Sequence, residues 1–365
     1  MEKNIMIIDD SALMRRVLSD IIEKDSRFRV SQVCRNGNEA YEKIRENRDA
    51  YDVILLDFFM PDMNADQLLV KLAPLNIKSK VIILSGVIKE DAMEIIHALE
   101  HGAFDFVMKP ENFALAKGKH FEEKLLKRLE LATAECDRPK VVVSTPVKKE
   151  QPEKRMPISI NSQQKQKGEE RVRGDKLIAL ACSTGGPKAL NQVIPLLPQK
   201  LDAPMVIVQH MPQGFTKSLA ERLDEVSKVH VKEAEDGDVL KKGNVYIAKG
   251  GCQLRVEKSR GQYILRVTDE PARNGLRPCA DIMYESLVGS DFGEIVCVVL
   301  TGMGGDGTKG ITKLNVKNKI YSITQTAETC TVYGMPKVFY ESGLADEVVP
   351  LDCVADAIGK HVGVQ

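Results

Sequence analysis

KLIALACSTGGPKALN, Lys176 to Asn191, is the stretch from which the rest of the chain can be placed. Leu177 to Ala181 is an unbroken apolar run and predicts a strand buried on both faces. Ser183 and Thr184 follow it; Gly185 and Gly186 permit a tight turn with positive φ, and Pro187 suits the first position of a helix, where no backbone N–H is required. A hydroxyl therefore stands at a strand-to-helix turn, beside outward-pointing backbone N–H groups that could stabilise an oxyanion. Taken alone, the stretch reads equally well as a Ser/Thr helix cap after a buried strand.

Two later stretches repeat the pattern. Met205–Gln209 is a buried-strand run with His210 directly after it, and Phe215, Leu219 and Leu223 then recur at helical spacing. A histidine at a strand end is by itself most often structural. Ile295–Leu300 is the third run, followed by Thr301-Gly302-Met303-Gly304-Gly305-Asp306-Gly307. Glycines at that density let backbone pass close to another group, and they present one carboxylate, Asp306. The loop lacks G-x-G-x-x-G and G-x-x-x-x-G-K-[ST], which weakens a nucleotide reading. Together Ser183, His210 and Asp306 supply what nucleophilic acyl chemistry needs: a hydroxyl, an imidazole to take and return its proton, and a carboxylate to orient the imidazole. The order Ser, His, Asp and the lack of a G-x-S-x-G elbow separate it from α/β-hydrolases. Cys182 is the competing nucleophile, but strand residues alternate in direction and the serine at the turn is favoured. Between Val229 and Val267 the period changes to two. Cys252, Leu254 and Val256, then Tyr263, Leu265 and Val267 around Ser259-Arg260-Gly261, predict a hairpin at the edge of the sheet with no catalytic role.

Upstream, residues 1–136 alternate apolar runs (Lys3–Ile8, Phe28–Cys34, Val53–Leu56, Lys80–Leu84, Phe104–Met108) with amphipathic stretches such as Ala12–Lys24, whose face is read from Leu13, Val17 and Ile21. Strict alternation predicts parallel strands with right-handed crossovers, a flavodoxin-like (βα)5 domain. Its working edge holds Asp9, Asp10, Asp57, Ser85 and Lys109 at strand ends. Three crowded carboxylates need a counter-charge, and hard oxygen ligands suit Mg²⁺, while Ser85 and Lys109 could hold a transferred phosphoryl group. Each acid singly would read as a turn residue or cap.

Between the two parts, 137–174 is proline-containing, highly charged and poor in aromatics, a composition that predicts a flexible linker. Its acidic residues are interleaved with the basic ones, which argues for a solvated tether over a nucleic-acid arm. The catalytic α/β part is set at 175–365. Over 365 residues Lys plus Arg and Asp plus Glu both number 52, which argues against polyanion binding. The eight cysteines form no C-x-x-C pair, consistent with reduced thiols and no zinc site. No apolar stretch approaches the length of a membrane span, so no direct membrane insertion and a cytoplasmic location are expected.

Two resemblances gather these readings. Asp9-Asp10-Ser11, Asp57 with Met60-Pro61, Ser85-Gly86 and Lys109-Pro110 resemble the response-regulator receiver family. That resemblance implies that Asp57 accepts a phosphoryl group from a chemotaxis histidine kinase. Asp9, Asp10, Asp57 and the carbonyl of Phe59 would hold Mg²⁺, Ser85 and Lys109 would contact the phosphoryl oxygens, and Phe106 would be the switch aromatic. Met63-Asn64-Ala65 stands where the family often has Asp-Gly. Ser183-Thr184-Gly185-Gly186, Gln209-His210-Met211-Pro212, Leu300 to Gly307 and Tyr333-Gly334-Met335-Pro336 resemble the chemotaxis protein-glutamate methylesterase (CheB) family. That resemblance implies hydrolysis of glutamate γ-methyl esters on chemoreceptors, releasing methanol, and deamidation of receptor glutamines. Ser183 would be the nucleophile, His210 the acid/base and Asp306 its orienting partner, with oxyanion donors near Thr184 and Met303 and no cofactor for hydrolysis. The linked expectation is a receiver that covers the Ser183 cleft until Asp57 is phosphorylated. The alternative is a receiver joined to a non-enzymatic adaptor. A DNA-binding output would want a basic recognition helix, and none is evident.

Overall fold

The structure is a computed structural model and describes residues 2–86, 92–110, 118–134 and 175–363. The expected linker, 137–174, falls outside the described residues.

The first domain is built from β1 (Lys3–Ile8), α1 (Ala12–Ile22), β2 (Phe28–Cys34), α2 (Gly37–Glu46), β3 (Val53–Asp57), α3 (Ala65–Leu72), β4 (Lys80–Ser85), α4 (Ala92–Glu100), β5 (Asp105–Met108) and α5 (Lys119–Thr133). Its five strands are parallel in the order β2-β1-β3-β4-β5. β3 is buried at every position, as a central parallel strand must be when helices cover both faces. α1 buries Val17, Leu18, Ile21 and Ile22, whereas Leu13 is 54% exposed. A four-residue spacing outruns the 3.6-residue turn, so the true stripe has drifted off Leu13 by the helix start. Asn64 accounts for the departure at 63–65: its side chain accepts from the Gln67 N–H at 2.9 Å, and Gln67 returns a bond to the Asn64 N–H at 3.1 Å, a reciprocal cap that starts α3.

The second domain comprises β6 (Lys176–Cys182), α6 (Gly186–Val193), β7 (Met205–Gln209), α7 (Phe215–Val226), β8 (His230–Glu233), β9 (Asn244–Ile247), β10 (Gln253–Ser259), β11 (Gln262–Thr268), α8 (Ala280–Ser286), β12 (Glu294–Val299), α9 (Thr308–Lys317), β13 (Ile320–Gln325), α10 (Met335–Glu341), β14 (Glu347–Val349) and α11 (Val354–Val362). Seven parallel strands run β14-β13-β12-β6-β7-β9-β8, with β6 at the centre. From β6 the chain builds first toward β8, then returns to β12 on the other side, so the switch point lies between β6 and β12.

One expectation about 229–267 is corrected. β8 and β9 belong to the parallel sheet, with β8 as its edge strand. β10 and β11 do pair antiparallel around Arg260-Gly261, but as a separate two-stranded sheet, not on the main sheet's edge. Their buried Leu254, Val256 and Leu265 join the cluster of Met283 and Tyr284 on α8 and Leu287 just after it.

The domains touch through one face of the first. α4 lies against α6 and α7. Phe106 stacks on Phe215 with ring centroids 4.8 Å apart, and Arg222 donates to both oxygens of Glu100 at 3.1 and 3.2 Å. Between them is a cavity of about 1180 Å³, bordered by Phe104 and Ala132 on one side and Gly185, Met303 and Tyr333 on the other.

Candidate active site

Three neighbouring strands, β12, β6 and β7, deliver the chemistry. The register pairs Cys182 with Gln209, so Ser183 and His210 are adjacent as the chain leaves β6 and β7, and the His210 N–H donates to the Cys182 carbonyl at 3.2 Å. The Ser183 N–H donates to the Thr301 carbonyl at 3.0 Å, which ties the serine to the loop after β12. Gly185 has φ +78°, and a Cβ there would lie 2.4 Å from the Thr331 side chain; the turn is built for glycine. At Gly302 a Cβ would approach the Ser183 Cβ to 2.8 Å, so only glycine lets the Thr301–Asp306 loop pass the serine.

Asp306 lies beyond β12, at the foot of α9, and accepts from His210 Nε2 at 2.8 Å. Both side chains are largely buried, at 10% and 5% exposure. With Nε2–H committed to Asp306, Nδ1 is the nitrogen that faces proton exchange with a serine. Ser183 is half-buried, and no hydrogen bond joins its Oγ to the His210 ring in this structure; such bonds commonly close only around substrate. Burial would raise the Asp306 pKa, but the bond and charge of His210 and the N–H groups of Ala280 and Asp281 outweigh it and hold the carboxyl at about 2. The acid is therefore an anion throughout the neutral range.

The competing thiol is disposed of by burial. Cys182 is fully inaccessible, its Sγ donates to Gln209 Oε1 at 3.0 Å, and burial drives its pKa far upward. The Gln209 amide also donates to the Ser183 carbonyl at 3.0 Å, which fixes the turn from the neighbouring strand.

Thr184 and Met303 flank the serine differently. The Thr184 hydroxyl leaves the site altogether: it is buried and donates to Asp105 Oδ2 of the first domain at 2.8 Å. Met303 lines the interdomain cavity with Gly185, whereas Ser183, His210 and Asp306 do not line it.

At the first domain's edge, Asp9, Asp10 and Asp57 each offer an oxygen within 4.8 Å of the others. Lys109 Nζ lies 2.8 Å from Asp9 Oδ2 and 2.7 Å from Asp57 Oδ1. Asp9 Oδ2 is buried, and its neighbour is the Lys109 ammonium. An all-oxygen set of three carboxylates balanced by a single lysine, with Asp10 exposed, fits a hard divalent cation. Burial and the charges of Asp9 and Asp10 push Asp57 up to about 6 against the opposing pull of Lys109. Ser85 is buried and its hydroxyl donates to the Gly86 carbonyl at 3.1 Å. The Phe59 ring is 44% exposed in the turn after β3, packed edge-on to Phe58.

Sequence reading missed the second support of Asp306. Its two oxygens accept the N–H groups of Ala280 at 2.6 Å and Asp281 at 3.0 Å, and the Cys279 thiol at 3.1 Å. Asp281 answers by accepting the N–H groups of Gly307 at 3.0 Å and Gly310 at 2.7 Å, so Asp306 caps the start of α8 while Asp281, in the first turn of α8, caps the start of α9. Tyr284, fully buried, anchors α8 by donating toward the Ala179 and Val298 carbonyls of β6 and β12. The only signal in the sequence was an Asp just inside a short helix after a proline.

Comparison with known proteins agrees with both halves. The family model described as CheB methylesterase matches residues 178–358, and that of the response regulator receiver domain matches 5–117. The protein-glutamate methylesterase/protein-glutamine glutaminase of Geobacillus kaustophilus is 38% identical over 360 residues, covering 98% of each chain. That of Halalkalibacterium halodurans is 38% identical over 359 residues, 98% of this chain and 97% of its own. The crystal structure of the Thermotoga maritima CheB methylesterase catalytic domain, 41% identical, covers 52% of this chain and 100% of that one with a TM-score of 0.49.

Proposed function

The chain belongs to the protein-glutamate methylesterase/protein-glutamine glutaminase family, and from that premise we propose that it is a phosphorylation-gated hydrolase of glutamate γ-methyl esters on chemoreceptors. The observation that carries the reading is the His210–Asp306 bond of 2.8 Å beside Ser183 on the adjoining strand.

Ser183 Oγ attacks the ester carbonyl while His210 Nδ1 takes its proton. Backbone N–H groups near Thr184 and Met303 receive the developing oxyanion. Collapse returns the proton to the leaving oxygen, so methanol departs and Ser183 carries the glutamyl acyl group. Water, deprotonated by the same imidazole, cleaves that ester and restores the serine and a free glutamate. A glutamine side chain passes through the same steps with ammonia as the leaving group, which is the deamidase activity. Asp306, ionised throughout, stabilises the imidazolium and fixes which nitrogen faces the serine.

In the receiver, Asp57 takes the phosphoryl group from a histidine of a partner kinase, and Lys109 and Ser85 receive its oxygens. Asp9, Asp10, Asp57 and the Phe59 carbonyl would hold Mg²⁺, which supplies positive charge for the transferring phosphoryl. The gate is the face that carries Phe106, Glu100 and Asp105: the last bonds to the residue next to the nucleophile. Weakening this contact on phosphorylation requires a coupling of only about 1–3 kcal/mol.

The test is methanol release from methylated receptor membranes by the full chain, by Gly174–Gln365, and by that fragment with Ser183→Ala. The fragment is expected to exceed the full chain, and the serine variant to be inactive. Equal release by fragment and full chain removes the gate; release by none removes the esterase and leaves the adaptor reading.

A further inference from the structure

We infer that Cys279 is a positioning residue for this hydrolase, its thiol holding the Asp306 carboxylate in the plane that orients His210; the inference rests on the triad proposed above. A carboxylate offers about four lone-pair directions. On Asp306 all four are taken: Oδ2 by His210 Nε2 at 2.8 Å and the Ala280 N–H at 2.6 Å, Oδ1 by the Asp281 N–H at 3.0 Å and Cys279 Sγ at 3.1 Å. Among the described residues, Cys279 is the only side chain other than His210 that bonds to this acid.

The thiol is not placed there by chance packing. The Cys279 N–H donates to Gln253 Oε1 at 2.9 Å, and the Gln253 amide donates in turn to the carbonyls of Pro271 at 3.2 Å and Leu276 at 3.1 Å. The β10–β11 hairpin therefore sets the position from which the sulfur reaches Asp306. Cys279 is fully buried, so removal of its S–H leaves an acceptor that water does not readily replace. Burial and the neighbouring carboxylate also push the thiol up to about 12, so it stays a donor and is no rival nucleophile. Cys182 is likewise a buried, protonated donor, but its S–H goes to Gln209 and not to the triad.

The test uses the full-length protein and two readouts that need no receptor: the rate of Ser183 labelling by a fluorophosphonate, with Ser183→Ala as the blank, and the low-field proton NMR signal of the His210–Asp306 bond. Cys279→Ala is expected to slow labelling about 10-fold at saturating probe while half-saturation stays within about twofold; Cys279→Ser, which keeps a donor, is expected to stay within about threefold of the parent. The imidazole proton should move downfield in the alanine variant, where Asp306 has one donor fewer, and upfield in the serine variant, where the donor is stronger. A proton that moves in neither variant, or a serine variant labelled as slowly as the alanine one, overturns the inference. Should the alanine variant not fold, the upfield shift in Cys279→Ser decides alone. Because labelling does not involve methyl esters, a chain that labels but releases no methanol would sink the substrate assignment and leave this test standing.

Discussion

Asp57 ends β3 of the first sheet and Asp306 follows β12 of the second, each on a strand next to the one from which its sheet is built outward in both directions, and both side chains are buried. Burial pushes both carboxyls up, yet Asp57 ends near 6 and Asp306 near 2. The neighbours make the difference. Asp57 faces two further carboxylates and one lysine. Asp306 faces no like charge that is not itself capped, and every acceptor direction is filled. One fold edge thus serves two tasks: an acid crowded by like charges invites a cation and a phosphoryl group, whereas an acid saturated with donors is fixed in charge and orientation and serves only its histidine.

The contrast can be broken at several points. Ser183→Ala should lower methanol release by about 10⁵-fold or to background, and Asp306→Asn by about 10³–10⁴-fold with little change in KM, since the acid acts on the histidine and not on substrate; initial rates on methylated membranes check both. The same substitution should be visible in stability. The folded pKa of Asp306 lies below its ordinary 3.8, so its contribution of about 2 kcal/mol is complete above that value and fades as pH falls toward 2. Urea unfolding of parent and Asp306→Asn should therefore differ by about that amount at pH 6 and converge in acid; a constant gap would contradict the donor-saturated picture. The smallest effect is expected at the interface. Arg222 and Glu100 are partly exposed, so Glu100→Lys should raise basal release only about threefold to fivefold, and adding Arg222→Glu should reverse the gain.

Much of this was legible because parallel strands advertise themselves. The runs at 3–8, 53–57, 80–85 and 105–108 are largely apolar, as are β6, β7 and β12 in the second domain, whereas the edge strand 28–34 is broken by Arg29, Ser31 and Gln32. A residue just past such a run is on the working edge, which is how Ser183, His210, Asp306, Asp9 and Asp57 stood out. The β10–β11 hairpin was legible from its alternation and its Ser259-Arg260-Gly261 turn, but nothing in that pattern says that it forms a sheet of its own. The donors on Asp306 were hidden for a different reason. Ala280 and Asp281 act through backbone N–H groups at the start of a seven-residue helix, which no residue type encodes, and the Cys279 thiol beside them belongs to no motif. Thr184 was read as a neighbour of the oxyanion, but its side chain bonds across the domain boundary to Asp105, a partner that neither domain's pattern names.

If the two edges form one switch, a small phosphodonor added with Mg²⁺ to the full-length protein raises methanol release about 10-fold, the size that about 1.4 kcal/mol of coupling gives, and leaves Asp57→Asn unchanged. An equal rise in Asp57→Asn, or none in a parent whose Gly174–Gln365 fragment is active, would contradict it.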